Sequence, residues 1–139
     1  MSLLLVTNVI SELRKPADRA DAAVRRWAAS QAPSDMFLST ITVLEIELGI
    51  ARLARRDEAR ADRILRWLED EVLDAFEGRI LAVDVPVARR AARMHVPDPR
   101  PERDALIAAT AVVHRLTVVT RNVRDFSPAL VPTFDPWQY

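Results

Sequence analysis

Leu3-Leu4-Leu5-Val6-Thr7-Asn8 opens the chain with an unbroken apolar run that stops at two polar residues, where a turn into a helix is expected. A strand that carries large apolar side chains on consecutive positions has both faces buried, which is the habit of a strand inside a parallel sheet rather than at the edge of an antiparallel one. The same pattern returns downstream. Met36-Phe37-Leu38, Ile80 to Val83, the β-branched run Leu116 to Thr120 and a last segment around Leu130 to Phe134 are four further candidate strands. Between them lie helical patterns: Ala20 to Ala29, in which Ala23, Val24 and Trp27 recur at helical spacing; Ile41 to Leu53, apolar nearly all round; Asp57 to Phe76, amphipathic and ended by Gly78; Pro86 to His95; and Glu102 to Arg115. Strand and helix alternate from one end to the other. That order predicts an α/β fold with a central, mostly parallel sheet of four to five strands covered by helices on both faces, and it places any site at the C-terminal ends of the strands, near Val6, Thr7 and Thr120.

The composition sets limits on function. The 139 residues, half of them apolar, suit one domain with its own core, residues 1–139. No cysteine is present, which excludes disulfides and thiolate metal sites. No apolar run reaches the roughly 20 residues of a membrane helix, so a soluble, cytoplasmic protein with no membrane partner is expected. The formal charge is zero, which argues against a protein that coats nucleic acid through bulk electrostatics. All but one of the 20 basic residues are arginine, Lys15 being the exception, a bias that a GC-rich coding sequence also produces. With only Gly49 and Gly78 there is no glycine-rich phosphate loop.

Four acidic positions stand out. Glu45 lies within the nearly all-apolar helix, where a carboxylate needs a proton, an arginine or a metal ion beside it. Glu47 raises the same question on the other flank, and Gly49, one turn beyond Glu45, leaves space on the Glu45 side. Asp104 is the only charged residue in a run of ten, although a first-turn aspartate also suits the helix dipole. Asn122 and Asp125 follow the strand ending at Thr120, where loop polarity alone would account for them. Together these oxygen groups suit Mg2+ or Mn2+, and carboxylate-held ions of this kind hydrolyse phosphodiesters. His95 and His114 have no serine or cysteine nucleophile to pair with and are not expected to act.

Four stretches, in order, resemble the PIN-domain family. Leu4-Leu5-Val6-Thr7-Asn8-Val9-Ile10-Ser11-Glu12-Leu13 is similar to the family's opening strand and helix, which reads Asp-Thr-Asn-Val-Ile-Ser-Glu. Leu38 to Gly49 resembles the second motif, with Glu45 on its acid. Asp104-Ala105-Leu106-Ile107-Ala108-Ala109-Thr110-Ala111 and Leu116 to Phe126 resemble the third and fourth, and Phe134-Asp135-Pro136-Trp137 resembles the FitB-like subgroup. The resemblance implies a PIN-like three-layer α/β/α fold and a VapC-type toxin of a toxin-antitoxin pair, a Mg2+-dependent or Mn2+-dependent endoribonuclease. It also implies a cognate antitoxin, an RNA substrate, a homodimer through helices such as Ser39 to Arg55 and Ala59 to Phe76, and DNA contact only through the antitoxin. Carried onto this chain it makes Glu45 and Asp104 metal ligands and Asn8 and Thr120 pocket members. Asn122 stands where relatives have aspartate or asparagine, and Asp125 either supplies a fourth acid or sits just outside.

One position departs from the pattern. Val6 occupies the place of the motif's first aspartate, so the expected copy is impaired in metal binding and catalysis. Either the valine is an inactivating change in a toxic nuclease, or the chain is a non-catalytic module of the same fold that binds an antitoxin or RNA. A receiver-like phosphoacceptor, another small α/β domain with an acidic pocket, would need a lysine after a late strand, and Lys15 is far from any.

Overall fold

In the computed structural model all 139 residues are described. Five strands form one sheet in the order β3-β2-β1-β4-β5, with β1 Leu3–Leu5, β2 Met36–Ser39, β3 Ile80–Leu81, β4 Thr117–Val119 and β5 Thr133–Phe134. Every pairing is parallel. Leu3 pairs with Met36 on one side and with Thr117 on the other, so the first strand of the sequence is the central strand of the sheet. Its side chains are 2%, 0% and 1% exposed, which accounts for three consecutive leucines with no polar alternation.

Helices α1 Thr7–Arg14, α2 Ala22–Ser30, α3 Thr40–Ala54, α4 Glu58–Trp67, α5 Leu73–Ala75, α6 Val85–Met94 and α7 Glu102–His114 cover the sheet. A cluster of 28 buried apolar residues, from Leu3 to Val131, unites sheet and helices, with Leu73, Ile80 and Leu81 packed against it. Trp27 belongs to it, as its helical spacing predicts. The tail closes over the same region, with the Trp27 and Phe134 rings 6.0 Å apart and the Arg121 guanidinium 5.1 Å from the centre of the Trp137 ring.

Several local features differ from the pattern read along the chain. No turn separates β1 from α1: Val6 is the N-cap residue and Thr7 the first helical position. The amphipathic stretch from Asp57 to Phe76 is not one regular helix, because a π turn at Leu68–Val72 joins α4 to α5. Gly78 does sit just past its end, with φ +79°. Helix α3 is not buried all round: Ile41, Thr42, Ile46, Ile50 and Leu53 face the core, whereas Leu44 is 49% exposed and Glu47 is open to solvent. Apolar composition marks α3 as nearly uniform, and only packing distinguishes its two faces.

Two capping arrangements fix where the early helices begin and end. The buried Glu12 carboxylate accepts from Lys15 Nζ at 2.9 Å and from the Asp21 backbone N–H at 2.8 Å, pinning the loop after α1. Asp21 in turn accepts from the N–H groups of Ala23 and Val24, the side-chain cap that starts α2. At the far end, α7 stops at Arg115, which takes a left-handed φ of 57° and turns the chain into β4.

Candidate functional site

The order of the strands locates the site. The chain leaves the central β1 toward β2 and β3, then returns to the other side of β1 as β4 and β5. Connections on the two sides diverge between β1 and β4, and in such sheets the crevice beyond the carboxyl ends at that switch point is the natural ligand site. The polar residues read from the sequence meet there. A pocket of about 310 Å3 is lined by Val6, Thr7 and Asn8 after β1, by Thr120, Asn122, Asp125 and Phe126 after β4, and by Glu45, Asp104 and Ile107 from α3 and α7.

The two strand ends are stitched to each other. The Val6 N–H donates to the Val119 carbonyl at 3.1 Å, and the Arg121 N–H reaches Asn8 Oδ1 at 3.4 Å. Thr120 is buried, and its Oγ1 accepts from the Asn122 N–H at 3.0 Å, so this hydroxyl shapes the β4 turn. Asn122 and Asp125 are exposed on the rim.

Glu45 has the partner its place in α3 demands. Thr7 Oγ1 donates to one carboxylate oxygen at 2.7 Å and Arg103 Nη1 lies 3.4 Å from the other. The carboxylate keeps 28% of its surface exposed and opens to the pocket, while Glu47 points into solvent away from it. Thr7 marked the place of the site in the sequence but was given no role there, which went to Asn8 instead. A hydroxyl at the first helical position after a buried strand was the available signal, hidden by the expectation of a turn there. Arg103 was also missed, since a lone arginine in a helix's first turn has no periodic signature.

Asp104 sits in the first turn of α7, half-buried. Its carboxyl is pushed above the ordinary aspartate value, first by desolvation and then by the negative charges of Asp125 and Glu45, against a smaller opposing pull from Arg103. Three carboxylates therefore feel one another across a single pocket, a repulsion that a cation would relieve. The donor set is all oxygen, as a hard divalent ion prefers. Nevertheless no three acidic or histidine side chains come close enough together to hold a metal ion, and Val6 contributes only methyl groups to the lining. The pocket fits Mg2+ or Mn2+ in kind and falls short in number of donors.

Val6 also has a place in the local backbone. It is the N-cap of α1, with φ −87° and ψ 171° and no side-chain cap hydrogen bond. Aspartate is among the preferred residues at such a position and valine among the poorest. The backbone is thus already arranged for a short acidic side chain, and valine leaves both the helix end and the pocket one oxygen poorer.

Lys15, the lysine a receiver-like phosphoacceptor would need, is paired with Glu12 at the opposite end of α1 and does not line the pocket. His95 Nδ1 accepts from the Arg100 N–H at 3.1 Å and holds the proline-rich loop, and His114 is exposed at the end of α7.

The model of the PIN domain matches residues 3–128. This chain belongs to the PIN-domain family. It is 40% identical to Toxin FitB of Neisseria gonorrhoeae over 97% of its own length and 98% of that protein, and 36% identical to a VapC ribonuclease of Sinorhizobium fredii over 98% of each. Among solved structures it superposes on FitAcB of Neisseria gonorrhoeae with a TM-score of 0.88 at 38% identity, covering 99% of both chains. The FitAB complex bound to a DNA fragment gives a TM-score of 0.84 at 38% identity, over 97% of this chain and 95% of that one. The matches run the length of the PIN domain, so the β1/β4 crevice described above lies within the family fold. No helix is long and apolar enough to cross a membrane.

Proposed function

We propose that this PIN domain, acting as a single unit over residues 1–139, is a VapC-type toxin of a toxin-antitoxin pair whose chemistry is hydrolysis of RNA phosphodiesters, and that Val6 leaves this copy impaired. The observation that carries the reading is the convergence of Glu45, Asp104 and Asp125 on one oxygen-lined pocket at the β1/β4 switch point. The similarity to proteins named Toxin FitB and VapC ribonuclease supports the toxin assignment. A cognate antitoxin and DNA contact made through it follow from the likeness to FitAB on DNA, and a cytoplasmic location suits such a pair.

Glu45 and Asp104 are the side chains that would hold Mg2+ or Mn2+, with Asp125 on the open side of the pocket. Such an ion, when bound, would supply an activated water and would screen the charge that builds on the phosphate. The chain's own contribution is positional. Thr7 holds the Glu45 carboxylate in one orientation, Asn8 holds the β4 turn against α1, and Ile107 and Phe126 form an apolar wall that excludes bulk water from one side. Arg103, 3.4 Å from Glu45, places a guanidinium at the mouth, where an RNA phosphate would pass. The exposed Leu44 and the open side of α3 give the homodimer a place to form.

A non-catalytic module that binds an antitoxin or RNA is the second reading, favoured by the single observation that no metal-holding trio exists with valine at position 6. RNA cleavage by the chain and by Val6→Asp, with Mg2+, with Mn2+ and with chelator, decides between them. The toxin reading expects metal-dependent cleavage to rise by about 100-fold or more in Val6→Asp, roughly the effect of one directly acting group, and to vanish when Asp104→Ala is added. Silence from folded Val6→Asp protein would establish the binding module.

A further inference from the structure

A cavity larger than the acidic pocket lies away from it. It encloses about 710 Å3 and is walled by Arg14, Lys15 and Arg19 at the end of α1 and in the loop after it, and by Arg60, Arg63 and Ile64 on α4. No acidic side chain lines it. The whole molecule contains two ion pairs, Lys15 with Glu12 and Arg103 with Glu45, so Arg14, Arg19, Arg60 and Arg63 have no carboxylate partner. All four are exposed. Arg60, Arg63 and Trp67 lie on one stripe of α4 at spacings of three and four, and the Arg14 guanidinium is held 5.8 Å from the Trp67 ring centre. Four like charges facing one concavity repel each other, and in a chain of zero net charge this concentration is not a by-product of overall basicity.

We propose that this arginine cavity is a phosphate-binding site for the backbone of an RNA whose cut segment lies in the acidic pocket. The argument rests on the ribonuclease reading only for the identity of the polyanion. Guanidinium forks match phosphate oxygens two at a time, which suits a row of arginines better than a row of lysines. A protein segment docking here would find only Ile64 and Pro16 as apolar anchors among five basic side chains, whereas a sugar-phosphate backbone needs none. The distance is appropriate. Helix α1 has eight residues, a length of about 12 Å, and runs from Thr7 in the acidic pocket to Arg14 in the cavity. A bound RNA therefore crosses from one to the other within a few nucleotides, and the cavity grips a flank of the substrate that the chemistry never touches.

Fluorescence anisotropy of a labelled RNA hairpin in chelator, so that no cleavage intervenes, tests this with the chain as it stands. Arg60→Glu with Arg63→Glu is expected to weaken binding at least tenfold and to reduce the slope of log affinity against log salt by about 1.5, the share of two phosphate contacts. Arg60→Lys with Arg63→Lys should keep most of the salt slope. Arg89→Glu with Arg93→Glu, on the exposed face of α6, makes the same charge change elsewhere and should have a clearly smaller effect. Equal losses from the two reversals would mean bulk electrostatics and overturn the proposal, as would unchanged affinity in the cavity variant. Binding of a polyglutamate peptide that depends on the cavity, with no such dependence for RNA, would assign it to an acidic protein partner instead. Cleavage by Val6→Asp is a separate result: RNA held by the cavity arginines while that variant stays silent keeps this site and removes the ribonuclease reading, and the converse removes only this site.

Discussion

The two ends of α1 carry opposite charge. At its start, Glu45, Asp104 and Asp125 surround the acidic pocket; at its finish, Arg14, Arg19, Arg60 and Arg63 surround the large cavity. The helix dipole favours both arrangements, since anions are stabilised near an N-terminus and cations near a C-terminus. The ends differ in how they are compensated. Glu45 is restrained by Thr7 and Arg103, and Asp104 is left in mutual repulsion with its neighbours, whereas the arginines repel one another in open solvent where screening is strong. A formal charge of zero conceals this separation entirely. Net charge counts residues, and recognition depends on where they are placed.

The contrast can be attacked from either end. The largest effect is expected from Thr7→Val made in a Val6→Asp background, which frees the Glu45 carboxylate: cleavage should fall about tenfold, the consequence of losing roughly one net hydrogen bond, with little change in thermal stability. Equal rates in the two proteins would show that Thr7 has no positioning role.

A smaller effect concerns Glu12 at the finish of α1. Its carboxyl is held below the ordinary range chiefly by the hydrogen bond from Lys15, aided by the Asp21 N–H and opposed by burial. A depressed carboxylate stabilises the fold above its unfolded value, near 4.5, and that contribution is lost as pH falls through the lower folded value. Glu12→Gln should therefore destabilise by about 1 to 2 kcal/mol at neutral pH, and denaturant melts of the two proteins should converge in acid. A difference that persists unchanged in acid would remove the charge from the explanation.

The smallest effect has the opposite sign. Asp104 is raised, so the folded state favours its protonated form, and the penalty for ionising it grows as pH rises through the folded value. Asp104→Asn should be neutral or stabilising by a few tenths of a kcal/mol at pH 7, given how much of the carboxyl remains in water. A clear loss of stability at pH 7 would mean that Asp104 makes a structural contact worth more than its repulsion.

How much of this could be read from residues alone depended on the length scale of the signal. The strand Leu3 to Leu5 and the helix after Asp104 were legible because burial on all sides leaves a composition that few other arrangements tolerate. The pocket was legible because strand order fixes where strand ends meet, and Glu45, Asp104, Asn8, Thr120, Asn122 and Asp125 all line it. Features confined to one turn were not. A π turn at Leu68–Val72 leaves the apolar pattern looking like an ordinary amphipathic helix, and the strands Ile80–Leu81 and Thr133–Phe134 are two residues each, shorter than the runs that predicted them. The pairing of Thr7 with Glu45 joins residues 38 positions apart, a contact that periodicity cannot report. Neither could it report the arginine cavity, whose walls come from two helices that are not neighbours in the chain.

The position of β1 has a consequence for synthesis. The first strand of the fold to be made is the central one, and its partner on the pocket side, β4, is the fourth of the five. Until Thr117–Val119 emerges, Leu3–Leu5 can be covered on the β2 side alone, and Thr120, Asn122 and Asp125 do not yet exist to face Glu45. Pairing of such distant segments is also slow to form. The acidic pocket is therefore among the last parts of the fold to be assembled, because it cannot form before β4 and the turn after it have been made.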